Sequence, residues 1–265
     1  MSDWLSVDRG QAPLIVSIPH AGLDLPEEIQ QSFVSLPLAR HDADYHVDRL
    51  YTFASELGAT IVRTAISRSV IDVNRDPSGH SLYPGQPTTG LCPETCFDGT
   101  PLYRPGREPD QAEIARRRAR YFDPYHNALS AEISRLRAAH RRIVVYDAHS
   151  ILGRVPRLFD GELPQFNIGS FDGKSCAPAL TGGVEAACGG HSLVVNGRFK
   201  GGWITRHYGD PENGVHAIQM ELAMRGYLDE AAPWPPEWDA SRAARLQPAL
   251  RNILVACLDF AKDPS

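Results

Sequence analysis

Two short, almost wholly apolar segments constrain this 265-residue chain most strongly, because each runs directly into a segment that carries a histidine. Pro13–Ile18 precedes His20, and Ile143–Tyr146 precedes His149. Apolar runs of about four to eight residues are typical of strands that are buried on both faces. The two segments therefore predict a buried sheet in which two strands each deliver a histidine at the carboxyl end.

The rest of the chain alternates between strand-like and helix-like patterns. Further strands are predicted over Thr60–Thr64, Val70–Val73, Leu193–Val195 and His216–Leu222. Helical spacing of apolar residues predicts helices over Asp44–Leu57, Asp110–Arg142 with a break near Pro124, and Ser241–Ala261. Strands separated by helices predict a three-layer α/β/α sandwich with a mixed, largely parallel central sheet. The length is normal for one α/β enzyme domain, so we expect residues 1–265 to form a single domain.

Residues 76–109 are rich in proline and glycine and show neither helical nor strand periodicity. They predict a long ordered loop, and loops of this length are uncommon unless they have a function such as covering a site. We expect this loop to lie near the functional site. Tyr83 and Tyr103 are candidates for lining that site, although packing within the loop would explain them equally well.

The composition excludes several classes of protein. A net charge of −5 argues against a nucleic-acid partner. No apolar stretch approaches the roughly 20 residues that a membrane helix needs, and we see no signal peptide, so we expect a cytoplasmic protein. Five scattered cysteines agree with a reducing compartment, and Cys92 and Cys96 are interpreted as loop thiols rather than a zinc site. The sequence does not determine the oligomeric state, and a homo-oligomer is compatible with it.

The histidines at the strand ends lie where open α/β sheets form their sites. The segment HDADYHVD, residues 41–48, adds several acids and histidines at the start of a helix pattern. Two imidazoles and one carboxylate make a catalytic zinc set, because they leave a fourth position for water. Acids at a helix start also act as caps, a role that suits Asp42, so the spacing alone does not identify the acid.

Two further segments contain candidate catalytic and binding groups. Arg68, Asn74 and Arg75 lie in SRSVIDVNRDP, where a guanidinium can bind a carboxylate through two hydrogen bonds or pair with a nearby aspartate. Glu221 lies in the otherwise apolar segment HAIQMELA. Burial of a carboxylate is costly unless it is paired or functional, and a raised pKa would suit a general base. The alternative is a glutamate at the exposed end of a strand.

These segments together resemble the N-formylglutamate amidohydrolase family over nearly the whole chain. The matching motifs occur in the family's order: PHAG, the aspartates of residues 42–48, SRSVIDVNR, LYPGQPTTGLCP, FDGTPLYRPG, PYH, YDAHSI, VPRLFDGELP, NGRFKGGWITRHYG and HAIQMEL. The chain is more distantly similar to zinc carboxypeptidases and aspartoacylases, which implies a zinc-carboxypeptidase-like fold.

The distant resemblance also implies roles for individual residues. Asn74 and Arg75 would bind a substrate carboxylate, Arg68 would stabilise the oxyanion, and Glu221 would act as the base. A divalent metal, zinc by preference, would be held by two histidines and an acid.

One feature departs from those families, which take the first histidine and the acid from an HxxE motif. Here His20 is followed three residues later by Leu23, which cannot bind metal. The metal ligands are therefore expected to be His20, Asp44 and His149. The residues that compete with Asp44 for the third position are Asp42, Asp24, His41 and His46.

The implied reaction is metal-dependent hydrolysis of N-formyl-L-glutamate to formate and L-glutamate, in histidine degradation. The alternatives are an amidohydrolase that acts on another N-acyl amino acid or small peptide, and a non-catalytic binding protein on the same fold. A substrate with two carboxylates needs a second cation. Arg206 is the candidate, with Arg198 and His207 as alternatives.

Overall fold

Seven strands form one mixed sheet at the centre of the computed structural model, which describes residues 4–86 and 88–263. They are β1 (Leu5–Asp8), β2 (Leu14–Ile18), β3 (Thr60–Thr64), β4 (Ile143–Ile151), β5 (Phe166–Gly169), β6 (Leu193–Val195) and β7 (Val215–Ala223). Their order across the sheet is β1-β3-β2-β4-β7-β5-β6. The central strands β3, β2, β4 and β7 are parallel to one another. Strand β1 pairs antiparallel with β3, and β5 pairs antiparallel with β7.

The α-helices in the described ranges are α1 (Glu27–Gln30), α2 (Val47–Leu50), α3 (Gln111–Arg117), α4 (Asp123–Arg137), α5 (Pro178–Ala187), α6 (Trp203–Tyr208) and α7 (Ala240–Lys262). A π-helical turn, Arg118–Phe122, joins α3 to α4. Short 3₁₀ segments cover Leu38–Arg40, Thr52–Leu57, Pro211–Asn213 and Met224–Gly226. No helix in these ranges is long and apolar enough to cross a membrane.

The central strands alternate their side chains between two apolar cores, as the period of a strand requires. In β4, Val144 and Tyr146 pack into the core that α5 and α7 complete, whereas Ile143 and Val145 pack into the core that α4 completes. Strands β2 and β7 divide their side chains in the same way. Helices therefore cover both faces of a mixed, mainly parallel sheet, and the predicted three-layer α/β/α sandwich is confirmed.

Most of the predicted strands are confirmed, but Val70–Val73 is not a strand. This segment forms turns, in which the Val70 N–H donates to the carbonyl of Ser67 at 2.9 Å and the Asp72 N–H to that of Leu91 at 2.7 Å. The Asp72 side chain also accepts a hydrogen bond from the backbone N–H of Asn74 at 2.9 Å. The apolar side chains are buried as a strand's would be, so the sequence pattern could not distinguish the two structures.

Two predicted helices are also different in the structure. The segment Asp44–Leu57 is not one helix, because His46 has a φ of +62° and the α-helix begins only after it, at Val47. The predicted long helix ends at Arg137 rather than Arg142, and it continues past Pro124. Proline cannot donate to the preceding turn, and the π-helical turn directly before α4 accommodates it without breaking the helical path.

Five of the strands and α-helices in the described ranges, β1, β5, α1, α5 and α6, were not expected from the sequence.

Arg117 ties the long loop to helix α3. Its Nη1 donates to the carbonyl of Val70 at 3.0 Å and to the hydroxyl of Tyr103 at 2.8 Å. Its Nε donates to Glu113 at 2.7 Å, and the side chain is 4% exposed. Arg117 therefore joins the segment before the loop to the segment that closes it.

We expect Arg117→Met to lower the free energy of unfolding by about 2–4 kcal/mol, because it leaves buried acceptors without their charged donor. Urea unfolding measures the change. The matched control is Arg116→Met, which removes a pairing to the same Glu113 from a side chain that is 72% exposed. Such an exposed pair contributes roughly 0–1 kcal/mol. Equal effects of the two substitutions would contradict the assigned role of Arg117.

Candidate metal centre and active-site cavity

The site lies on one face of the central strands, at their carboxyl ends. The side chains that face α4 are apolar in the first half of each strand and polar in the second half. The polar ones are Ser17 on β2, Asp147 and His149 on β4, and Gln219 and Glu221 on β7. All five are buried. Because the three strands are parallel, these polar halves meet at one edge of the sheet.

The structure brings His20, Asp44 and His149 together, with their candidate ligand atoms all within 4.8 Å of one another. Asp44 Oδ2 lies 3.1 Å from His149 Nδ1 and 3.8 Å from His20 Nδ1. His20 Nδ1 and Asp44 Oδ1 are buried and have no hydrogen-bond partner among the described residues. Orphaned buried atoms of this kind are costly. A cation between the three side chains would satisfy them, so the donor set fits a divalent metal.

Two outer carboxylates orient the histidine rings. His20 Nε2 lies 2.7 Å from Asp72 Oδ1, and His149 Nε2 lies 3.0 Å from Asp147 Oδ2. Each ring therefore presents Nδ1 to the centre of the group, which is the usual second-shell arrangement of metal-binding histidines. Burial and the nearby Arg68 lower the pKa of His20 to about 4, so this ring is neutral and able to act as a ligand near pH 7.

Asp44 reaches the histidines because its backbone N–H donates to the carbonyl of His20 at 2.9 Å. Two of the competing residues lie elsewhere. Asp24 is exposed and pairs only through its backbone with the segment that follows β3. His46 is directed away from the group, with its Nε2 3.0 Å from the carbonyl of Pro236.

The other competitors, His41 and Asp42, belong to a second group with Cys96, in which the candidate ligand atoms also lie within 4.8 Å of one another. Asp42 is occupied by protein donors. Its Oδ1 lies 2.9 Å from His41 Nδ1, and its Oδ2 accepts the backbone N–H of Phe97 at 2.6 Å. Asp42 therefore anchors the turn that carries Phe97, whereas Asp44 is the acid that faces His20 and His149.

The Arg68 guanidinium lies next to the candidate metal ligands and lines the cavity. Its Nη2 donates to Asp72 Oδ2 at 2.7 Å, and its Nη1 is 3.6 Å from Asp44 Oδ1. The ring of Phe97 covers it at 4.7 Å. Burial alone would raise the pKa of Asp72, but the cations around it hold that pKa well below its usual value. Arg68 and Asp72 are therefore both charged in a site shielded from water.

Asn74 is held by protein groups at both ends of its amide. Its Nδ2 donates to Asp147 Oδ2 at 2.9 Å and lies 2.9 Å from His149 Nε2, while its Oδ1 accepts the N–H of Ile204 at 2.7 Å. Gly202 packs against this amide so closely that a Cβ there would lie 2.4 Å from Nδ2. We infer that Asn74 positions Asp147 and His149, a role different from the carboxylate contact that the resemblance implies.

Arg75 lines the cavity next to these residues. Its Nε and Nη2 donate to the carbonyl and the hydroxyl of Thr89, each at 3.1 Å. The carboxylate of Asp72 is 3.7 Å from Nη2. The long loop thus holds the guanidinium in place at the cavity wall, and the side chain is 18% exposed.

The second candidate cation, Arg206, is not among the residues that line this cavity. Its guanidinium donates to the carbonyls of Gly201 and Leu82, each at 2.8 Å, and lies over the rings of Tyr83 and Phe171. It therefore supports the loop, and the assignment of Arg206 to a substrate carboxylate stays a prediction that this position does not favour.

Two other arginines, Arg157 and Arg198, line the cavity instead. The sequence analysis gives Arg198 as an alternative to Arg206 for the second carboxylate-binding cation. The remaining alternative, His207, stacks on Trp203 at 4.8 Å and does not line the cavity. Of the two loop tyrosines, Tyr83 lines the cavity, whereas Tyr103 stacks on Phe33 at 4.8 Å outside it.

Glu221 is a buried member of the cavity wall and pairs across the sheet with His149. Its pKa is raised to about 8, mainly by burial; Asp44 and Asp147 contribute to the rise, while His149 and Arg68 offset part of it. A carboxyl group with this pKa can exchange a proton near neutral pH.

Gln219 fixes the orientation of the Glu221 carboxylate. Its Nε2 donates to Glu221 Oε2 at 3.0 Å, and its Oε1 accepts the N–H of Gly202 at 2.7 Å. The sequence analysis did not predict Gln219 or Asp147 as site residues. Each lies two residues before a predicted site residue on the same strand and so on the same face, a spacing that could have identified them.

The apolar wall of the cavity comes from distant parts of the chain: Phe97, Ile151, Leu158 and Phe199. These four residues belong to one small hydrophobic cluster. No local pattern indicated that they would meet, because they lie on separate loops and at the end of β4. The cavity therefore combines a charged wall, which carries the candidate catalytic groups, with an apolar wall.

The chain is similar to known proteins over almost its whole length. Residues 12–228 match the family model of N-formylglutamate amidohydrolase. The chain is 45% identical to N-formylglutamate deformylase of Pseudomonas aeruginosa over 99% of both chains, and 43% identical to that of Pseudomonas putida over 99% of this chain and 98% of the other. The crystal structure of N-formylglutamate amidohydrolase from Ralstonia eutropha JMP134 superposes with a TM-score of 0.80 at 26% identity, covering 98% of this chain and 97% of that one. These matches and the resemblance in sequence agree, and the chain belongs to the N-formylglutamate amidohydrolase family.

Proposed function

We propose that this protein is a metal-dependent amidohydrolase that converts N-formyl-L-glutamate and water to formate and L-glutamate. The observation that carries the proposal is the placement of the His20, Asp44 and His149 group beside the buried Glu221, in a cavity that four arginines line. A cavity with this excess of cations suits a small substrate with two carboxylates. The names of the Pseudomonas relatives support the same reaction.

We propose zinc as the metal, because two imidazoles and a carboxylate with an open fourth position are typical of catalytic zinc sites. When bound by His20, Asp44 and His149, it would supply Lewis acidity and lower the pKa of a water molecule.

We also propose that the reaction serves histidine degradation and that the protein is cytoplasmic. All five cysteines are buried free thiols, as a reducing compartment allows.

Glu221 carries out the proton transfers. It takes a proton from the attacking water as the new C–O bond forms at the formyl carbon, and it returns a proton to the amide nitrogen as the C–N bond breaks. Gln219 holds one oxygen of the carboxylate, and Glu221 lines the cavity. Its raised pKa suits a group that must both accept and donate a proton.

Arg68 stabilises the negative charge that develops on the formyl oxygen. It is preorganised, because Asp72 and the ring of Phe97 hold the guanidinium in place before any substrate binds. Arg75 and Arg198 each bind one carboxylate of the substrate. Arg75 offers the better supported guanidinium of the two, since Thr89 accepts two of its hydrogen bonds.

Removal of the candidate acid tests the metal centre. We expect Asp44→Ala to weaken zinc binding by more than about 100-fold, because it deletes a ligand rather than a supporting group. Competition with a chromophoric chelator and metal analysis of the purified chains measure the effect. Asp42→Ala is the matched control, since this acid was the rival ligand and its carboxylate serves Phe97 and His41. If Asp42→Ala loses the metal and Asp44→Ala keeps it, the ligand assignment is wrong.

The proton transfers are tested by Glu221→Gln. The amide cannot exchange a proton, so we expect kcat for N-formyl-L-glutamate to fall about 10²–10⁴-fold while the metal content is unchanged. Glu185→Gln, on the exposed face of α5, is the control and should behave as wild type. Retention of most of the activity by Glu221→Gln would exclude this residue as the base.

Carboxylate binding is tested by Arg75→Lys, measured as kcat/KM. Lysine keeps the charge but offers no planar pair of donors, so we expect a loss of about 10–100-fold, mainly through KM. Arg198→Lys should act in the same direction. Arg206→Lys serves as the comparison, because its guanidinium braces the loop and does not line the cavity. A larger loss in Arg206→Lys than in the other two would restore the original expectation for Arg206.

A further inference from the structure

We propose that Phe97 sets the size of the acyl group that the site accepts, and that it restricts turnover to N-formyl substrates. The inference rests on the proposed function, because it takes the reacting carbonyl to lie between Arg68 and Glu221. It assigns a specificity-determining role to a residue of the long loop that is neither a metal ligand nor an ionisable group.

Phe97 is the apolar side chain that lies against the oxyanion arginine. Its ring covers the Arg68 guanidinium at 4.7 Å, and both residues line the same cavity as Glu221 and His20. A carbonyl oxygen that accepts a hydrogen bond from Arg68 therefore lies close to this ring, and so does the substituent on its carbon. In a formyl group that substituent is a hydrogen atom, whereas in an acetyl group it is a methyl group that must find space beside the ring.

The backbone of Phe97 is held from both sides. Its N–H donates to Asp42 Oδ2 at 2.6 Å, and its carbonyl accepts from Arg157 Nη1 at 3.3 Å. The surrounding turn is closed by a hydrogen bond from the Cys96 N–H to the carbonyl of Thr100 at 2.9 Å. Asp42, which holds the backbone of Phe97, lies two residues before the candidate metal ligand Asp44. The same short segment therefore supports both the apolar wall and the metal centre. The backbone that carries the ring is therefore fixed relative to the metal centre.

A second aromatic residue, Phe199, belongs to the same apolar cluster but lies against a different arginine. Its ring is 5.6 Å from the Arg198 guanidinium and 6.1 Å from the ring of Phe159. It thus accompanies the cation that we assign to a substrate carboxylate, whereas Phe97 accompanies the cation that we assign to the acyl oxygen. The two phenylalanines make a matched pair for separating acyl selection from amino-acid binding.

The test compares Phe97→Ala with Phe199→Ala in the metal-loaded enzyme. The ratio of kcat/KM for N-formyl-L-glutamate to that for N-acetyl-L-glutamate is measured for each variant and for wild type. One methyl group in a tight pocket changes such a ratio by about 10–200-fold. We therefore expect Phe97→Ala to lower the ratio by at least about 10-fold. Loss of the ring's contact with Arg68 weakens oxyanion stabilisation for both substrates alike, so the substrate ratio and not the absolute turnover is the readout. Phe199→Ala should change kcat/KM for both substrates by a similar factor and leave the ratio near that of wild type.

The outcomes separate this inference from the proposed function. A wild-type enzyme that is loaded with metal and does not hydrolyse N-formyl-L-glutamate contradicts the proposed function. An active wild type whose substrate ratio does not change in Phe97→Ala, or changes equally in Phe199→Ala, overturns the role of Phe97 alone. If thermal unfolding shows that Phe97→Ala does not fold, Phe97→Leu replaces it. That variant should lower the ratio in the same direction by a smaller factor, and an unchanged ratio again rejects the inference.

Discussion

Burial of three carboxylates in one small volume is the constraint on which this structure depends. Asp44, Asp72 and Asp147 are each at most 1% exposed. An isolated buried carboxylate costs several kcal/mol or more, so each needs compensation. Asp72 has the guanidinium of Arg68, and Asp147 accepts the amide of Asn74. Asp44 keeps one oxygen without a hydrogen-bond partner in the described ranges, so its charge is only partly compensated by the protein. A bound metal would supply the missing compensation.

The same constraint explains how the sheet is divided. On the face toward α4, the amino-terminal halves of β2, β4 and β7 are apolar and pack against that helix. The carboxyl halves carry the polar groups, so no helix with an apolar face could cover them without leaving charges unpaired. Loops cover them instead, with arginines, amides and backbone N–H groups as partners. The long loop thus belongs to the electrostatic structure of the site, and through Phe97 and Thr89 it places both an apolar wall and the support for Arg75.

Much of the fold could be predicted from the chain, because the central strands are long enough and apolar enough to be seen locally. The failures have different physical causes. Val70–Val73 is apolar because it is buried, and burial alone does not distinguish a turn from a strand. The helix expected from Asp44 begins only at Val47, because His46 adopts a left-handed conformation that apolar spacing does not reveal. Strand β5, with four residues, is too short for its pattern to stand out from the chain around it.

The sequence by itself determined which residues would carry charge and metal-binding groups at the ends of strands, since the two-residue period and the parallel order bring His149 and Glu221 to one edge. Only the tertiary structure decided which acid joins the histidines and which arginine faces the cavity. Asp42 and Asp44 differ by two positions, and Arg198 and Arg206 lie in one motif. Their roles depend on which partners lie within about 3 Å in space. The deciding partners, such as His149 for Asp44, Phe97 for Asp42 and Leu82 for Arg206, come from segments far away in the chain, about which the local sequence contains no information.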